Sequence, residues 1–238
     1  MIRNALLYLS NQPRVFKFVK TNRLAKGFAS RFVAGETLDT AVPAVRELNR
    51  RGITASLDLL GESVHNEAEA RAAGAEYLKI LDRIAREKLD ANVSVKLTAM
   101  GLDVSEELCI SVIQEVLERA RKYNSFVRLD MEASDYTQKT LELFENRLYP
   151  EFRGTVGVVL QSYLYRTVAD VEHMNSLGAR VRICKGAYKE PASVAFPEKQ
   201  DVDANYVKCM QELTLRGNYP GIATHNERII ETMKGFAR

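Results

Sequence analysis

The side chains able to do chemistry stand at the ends of short apolar runs. Asp58 closes the first run, with Glu62 close behind, and Lys96 stands in Ser94-Val95-Lys96-Leu97-Thr98. A third run ends Arg128-Leu129-Asp130-Met131-Glu132, and a fourth ends Gln161-Ser162-Tyr163. A fifth holds Arg182 and Lys185, followed by Gly186-Ala187-Tyr188, and a sixth ends Thr224-His225-Asn226. Taken singly, each has a plain explanation. A lone Asp at a strand end often caps a turn, and a lone Lys in a strand snorkels or pairs with a neighbour. One strong polar group at the end of every run is harder to explain as core filling, because buried charge is costly unless it is paired or used. Lys96 interrupts an apolar run and needs a partner; Asp130 on the next run is the obvious one. The set is rich in cations (Lys96, Arg182, Lys185) and poor in bases. Such a site suits an anionic substrate and a cofactor that carries the difficult chemistry.

Several chemistries lack their residues. His65, His173 and His225 are far apart, and no His/Cys/Asp cluster has metal spacing, so no metal is expected. There is no G-x-S-x-G elbow. Asp130 and Glu132 lie on one run and should diverge, which argues against a glycosidase acid/base pair. Cys109, Cys184 and Cys209 show neither a disulfide framework nor metal spacing, which points to a reducing compartment.

The elements that must position these residues follow a repeat. Six strands are expected, at Thr54–Leu59, Val93–Leu97, Phe126–Asp130, Gly157–Gln161, Arg180–Lys185 and Gly221–Thr224. Each reads mostly apolar without clean alternation, as buried parallel strands do. Glu67–Lys88 and Ser105–Lys122 have the apolar spacing of amphipathic helices. Arg51-Gly52, Leu177-Gly178 and Arg216-Gly217 each precede a strand and read as left-handed helix caps. Strand–helix alternation implies a parallel sheet. A doubly wound sheet would bring a glycine-rich phosphate turn after an early strand, and Asp58-Leu59-Leu60-Gly61-Glu62 is not one. The expected fold is therefore an α/β parallel (βα)8 barrel. Residues 1–50 form a helical preface packed on it and residues 51–238 supply six of its strand–helix units.

With 238 residues, 46% hydrophobic and 27% charged, the chain can bury a sizeable core. A net charge of +3 is too small to argue for nucleic acid. The basic excess is uneven, however. No acidic residue precedes Glu36, whereas Arg3, Arg14, Lys17, Lys20, Arg23, Lys26 and Arg31 all do. Short basic helices on the domain or on an anionic surface are preferred over a transit peptide, because no cleavage-like break interrupts the apolar pattern. No apolar run reaches the ~20 residues that span a bilayer.

Together, Asp58–Glu62, Ser94–Thr98, Val127–Glu132, Val159–Arg166, Arg182–Tyr188 and Ala223–Asn226 resemble the proline dehydrogenase family, particularly its monofunctional bacterial members, over nearly the whole chain. The resemblance implies an FAD-binding barrel that oxidises L-proline to 1-pyrroline-5-carboxylate, with hydride passing to flavin N5 and electrons to a quinone. By similarity, Lys96 holds the substrate carboxylate and pairs with Asp130 near the flavin, and Tyr188 shapes the proline pocket. Met131, Gln161, Arg182, Lys185, Gly186 and Ala187 surround the flavin head and ribityl chain. Lys199, Val202, Thr224, His225 and Asn226 contact the pyrophosphate and adenosine end. No strong base is evident, so solvent takes the amine proton. A bacterial member is expected in the cytoplasm, with peripheral contact to the inner membrane through its basic preface. Family members continue into two further strands and a helix with a Tyr-x-x-Arg-Arg motif that clamps the substrate. That motif is absent from these 238 residues, so weak proline binding and marginal stability are expected of this polypeptide alone. Cys184 is read as a small buried hydrophobe. The alternatives are a phosphate-binding barrel enzyme with a Schiff base on Lys96 or Lys185, and an inactive fragment bound to a membrane surface.

Overall fold

The computed structural model describes Gly35, residues 37–61 and residues 63–236. The expected basic helices of the opening segment lie outside the described residues. The chain divides into two compact units, Met1–Ala55 and Ser56–Arg238. In the first, α1 (Leu38–Arg50) begins with a reciprocal cap, and Val42 and Val45 are its buried positions. The Thr37 amide donates to Thr40 Oγ1 at 3.0 Å and the Thr40 amide to Thr37 Oγ1 at 3.3 Å.

The second unit alternates strand and helix. β1 (Ala55–Asp58) leads to α2 (Glu67–Glu87), and β2 (Ala91–Val95) to α3 (Glu106–Lys122). β3 (Val127–Leu129) leads to α4 (Ser134–Leu143), which runs through a π-turn at Phe144–Leu148 into α5 (Tyr149–Phe152). β4 (Val156–Gln161), α6 (Thr167–Leu177), β5 (Arg180–Cys184), α7 (Lys199–Arg216), β6 (Gly221–Ile222) and α8 (Glu227–Phe236) complete it. Local chemistry sets the helix ends. Asn66 accepts the Glu69 amide at 2.9 Å and Ser105 the Leu108 amide at 3.0 Å, and acidic residues fill both first turns. Helices α2 and α3 approach closely at Gly74, where an added Cβ would lie 2.6 Å from Val112 Cγ1.

Gly52 and Gly178 take the left-handed conformation expected of them, each with φ of 72°. Gly217 does not. It is extended, with φ of −79° and ψ of 159°. The reason for glycine there is space, since a Cβ would lie 2.4 Å from Leu213 O.

The six strands lie in sequence order, and the ladders from β2–β3 to β5–β6 are parallel. The period-two pattern hidden in the sequence is present in space. Val93, Val95, Val127, Leu129, Val158, Leu160, Val181 and Ile183 are fully buried on one face, which the helices cover. The polar residues Ser56, Ser94, Arg128, Arg180 and Arg182 occupy the other face. That face is concave. β2 and β5 are three spacings apart and would stand about 14 Å from each other in a flat sheet, yet Arg182 Nη2 donates to Ser94 Oγ at 3.2 Å. The sheet is six strands of a (βα)8 barrel, and the polar face is its lumen.

Candidate active site

Three ladders end one residue before a charged side chain. β2 stops at Val95, β3 at Leu129 and β5 at Cys184, so Lys96, Asp130 and Lys185 stand just beyond the C-terminal ends. Barrels carry their chemistry in this position, because the chain is there released from the ladder and turns outward over the lumen.

At the centre Arg182 ion-pairs with Asp130 and bonds Ser94, and Ser94 Oγ lies 3.3 Å from Ser56 Oγ. Burial is the largest influence on Asp130 and raises its pKa above the ordinary carboxylate value; the Arg182 charge opposes it without cancelling it. Lys96 has a different partner from the one expected. Its ammonium donates to Asp58 Oδ2 at 3.2 Å, and Tyr77 OH donates to Asp58 Oδ1 at 3.1 Å. The physical reason is that the neighbouring strand on each side offers a carboxylate, and Asp130 is already taken by the arginine of β5. Burial, reinforced by the Asp58 carboxylate, pushes the Tyr77 hydroxyl pKa well up, so it remains a donor. Glu132 diverges from Asp130 as expected: it is 3% exposed and accepts the Thr98 amide at 3.1 Å and the Thr98 hydroxyl, tying the turns after β2 and β3 together.

A cleft of about 760 Å³ opens above these residues. Lys96, Asp130, Met131, Gln161, Arg182, Lys185, Gly186, Ala187, Tyr188, Thr224, His225 and Asn226 line it, together with Val159, Cys184 and Ala223. Cys184 is thus only partly buried and faces the cleft, although burial still raises its thiol pKa. It alternates with the wholly buried Ile183 and so falls on the lumen side of β5. The Gln161 amide donates to Met131 O at 3.3 Å, while its Oε1 is buried with no hydrogen-bond partner among the described residues. Lys199 and Val202 are not part of the lining. Val202 packs against Tyr163, Leu164 and Ala195, and its carbonyl accepts from Ser162 Oγ at 3.3 Å.

Two residues that organise the site are not evident from the strand ends. Asp203 accepts from Lys185, from Lys199 at 2.7 Å and from Asn226 Nδ2 at 3.0 Å, and so ties the segments after β5 and β6 to α7. The Lys199–Asp203 spacing of one helical turn is the signal that could have found it. Glu190 accepts the Ser134 amide at 2.8 Å, the Ser134 hydroxyl, and Tyr163 OH at 3.3 Å. It pins the segment after β5 to the N-terminus of α4. Sequence carries no local signal for a contact across 56 positions.

Burial acts on Asp203 to raise its pKa and is the largest single influence, but the two lysines together hold it below the usual value. An acid with a lowered folded pKa contributes stability at neutral pH that is lost as pH falls through that pKa. Asp203→Asn is therefore expected to melt below the parent by a constant margin down to about pH 4, the margin closing only at lower pH. Melting curves across pH 7 to 3 check this.

Residues 41–237 match the family model described as proline dehydrogenase. A protein named Proline dehydrogenase 1 from Bacillus subtilis subsp. natto is 40% identical over 234 residues, covering 98% of this chain and 76% of that one. A proline dehydrogenase from Deinococcus radiodurans is 37% identical over 240 residues, covering 99% of this chain and 76% of its own length. Among solved structures, proline utilization A from Bdellovibrio bacteriovorus, inactivated by N-propargylglycine, superposes with a TM-score of 0.80 at 27% identity. That match covers 90% of this chain and 27% of the larger protein. With a family match over residues 41–237 and a named relative 40% identical over 98% of its length, the chain belongs to the proline dehydrogenase family.

Proposed function

We propose that the protein oxidises L-proline to 1-pyrroline-5-carboxylate with FAD as hydride acceptor and a quinone as the final electron acceptor. One observation carries this reading: Lys96, Asp130, Gln161, Arg182, Lys185 and Tyr188 converge on one cleft from the ends of β2 to β5, in a chain of this family.

The residues fit a flavin. Gln161 Oε1 is a buried acceptor awaiting an N–H donor, which the pyrimidine edge of a flavin provides. Arg182 and Lys185 bring positive charge to a cleft with an apolar wall at Met131, Val159 and Cys184. When bound, the flavin supplies a two-electron acceptor that takes hydride. The protein's own groups do the rest. Lys96 binds the substrate carboxylate, and Asp58 with Tyr77 fixes its ammonium in place. Arg182, held by Asp130 and Ser94, presents a fixed positive charge that favours an electron-rich ring. Tyr188 walls the cleft against water. The amine proton leaves to solvent. Lys185 and Lys199, gathered by Asp203, with Thr224, His225 and Asn226, hold the phosphate and nucleotide end. A Schiff base on Lys96 or Lys185 is disfavoured, since both ammonium groups are ion-paired to carboxylates.

The purified protein is expected to show a flavin spectrum that L-proline bleaches under anaerobic conditions and a soluble quinone restores. A colourless protein, or a flavin indifferent to L-proline, sinks the reading. No described helix is long and apolar enough to cross a membrane. Peripheral contact with the inner membrane of a cytoplasmic protein is proposed through the basic residues 1–34; sedimentation with anionic vesicles, with and without that segment, decides it.

A further inference from the structure

The segment after β5 carries Lys185, Gly186, Ala187 and Tyr188 into the cleft, and one residue outside the cleft lining touches it along its length. Tyr163 stands in the turn after β4. Its main chain holds both ends of the segment. The Tyr163 amide donates to Lys185 O at 3.0 Å, and the Phe196 amide donates to Tyr163 O at 2.8 Å. Its ring holds the middle. An added Cβ on Gly186 would lie 2.5 Å from two ring carbons, so the ring packs directly on that backbone.

The hydroxyl reaches furthest. It accepts the Tyr188 main-chain amide and donates to Glu190 Oε1 at 3.3 Å. Glu190 is itself fixed, because its two oxygens also take the Ser134 amide at 2.8 Å and the Ser134 hydroxyl. Burial, then the Glu190 charge, pushes the Tyr163 hydroxyl pKa well up, so it stays protonated and keeps donating. Packing alone does not call for this hydroxyl. Phenylalanine would fill the same space, and a buried hydroxyl is costly unless its bonds are made. Here both are made, and the acceptor holds the main chain of the residue that walls the substrate pocket. Fixing the Tyr188 amide fixes the origin of its side chain. A displacement of about 1 Å at such a wall is felt in substrate binding.

We propose that the Tyr163 hydroxyl, seated on Glu190, is the positioning group for Tyr188 and thereby sets how tightly the pocket holds L-proline. The inference rests on the proline-oxidising function proposed above.

Tyr163→Phe keeps the ring on Gly186 and the main-chain bonds and removes only the hydroxyl. Flavin content is expected to match the parent. Deuterium exchange of the amides of residues 186–189 is expected to quicken about tenfold, because one of them loses its acceptor. KM for L-proline is expected to rise about tenfold with kcat within about twofold, the pattern of lost uniform binding. Glu190→Ala is expected to follow Tyr163→Phe. Glu190→Gln keeps an oxygen for the hydroxyl and is expected to hold KM within about threefold of the parent. Tyr165→Phe is the control. It removes a hydroxyl bonded to Ala192 O at 2.8 Å on the same segment, outside the cleft lining, and should change neither readout. Unchanged exchange or unchanged KM in Tyr163→Phe overturns the proposal, as does an equal rise in KM in Tyr165→Phe. If Tyr163→Phe does not fold, Glu190→Ala set against Glu190→Gln decides. A parent flavin indifferent to L-proline sinks the proposed function instead, and exchange then decides alone whether Tyr163 anchors Tyr188.

Discussion

Arg182→Met is expected to abolish proline-dependent bleaching of the flavin and to lower stability by about 2–3 kcal/mol. Arg182 is the partner of Asp130 and a donor to Ser94, so its removal strands a carboxylate. Breaking a fully buried pair costs about 3–5 kcal/mol; here the side chains keep 25% and 18% exposure, which lets water recover part of that. For a chain of this size the loss corresponds to a fall in Tm of about 5–10 °C. The pH dependence has a definite sign. Burial already holds the folded pKa of Asp130 above its ordinary value. An acid of that kind destabilises the fold at pH above its folded pKa and not at pH below its unfolded one. Without the Arg182 charge its pKa rises further. The deficit of Arg182→Met should therefore be full at neutral pH and shrink as the solution is acidified through the Asp130 titration. Adding Asp130→Leu should restore stability without restoring turnover. A deficit that grows on acidification, or a double variant no more stable than the single one, would show that the pair does not carry the effect.

Gly186→Ala is expected to yield protein with little bound flavin and a stability loss of about 2–5 kcal/mol. Two costs add. Gly186 has φ of 100°, where an L side chain is strained. Its new Cβ would also lie 2.5 Å from two carbons of the Tyr163 ring. The ring cannot easily yield, being 7% exposed and bonded through its hydroxyl to Glu190. The segment must move instead, and it carries Lys185, Ala187 and Tyr188 into the cleft. Combining Gly186→Ala with Tyr163→Leu removes the clash and leaves the backbone strain, so flavin content should recover only in part. Lys189→Ala, at an exposed neighbour outside the cleft lining, serves as the control and should retain flavin. Full flavin occupancy in Gly186→Ala would refute the argument.

The strands, their order and most of the cleft were legible in the sequence because they depend on local pattern. Apolar runs, capping residues and a polar side chain at each run's end are written within a few positions of one another. The helix ends at Asn66 and Ser105 fall where the local chemistry puts them. Alternation along the strands was obscured for a reason specific to this fold: the lumen face mixes Val159 and Gly157 with Arg128 and Arg182, so the polar positions do not read as a solvent face.

What tertiary structure decided is which charge meets which. From the sequence, Asp130 was the obvious partner for Lys96. Curling the sheet brings Arg182 of β5 across to Asp130 and Ser94, and Lys96 is left to Asp58. The roles of Asp203 and Glu190 are likewise products of tertiary packing, since each joins segments far apart in the chain. Sequence alone determined the residue types at the strand ends, because hydrophobic period and turn chemistry are short-range. The curvature of the sheet set their pairing, because in a barrel lumen a side chain's neighbour is fixed by strand spacing and curl rather than by distance along the chain.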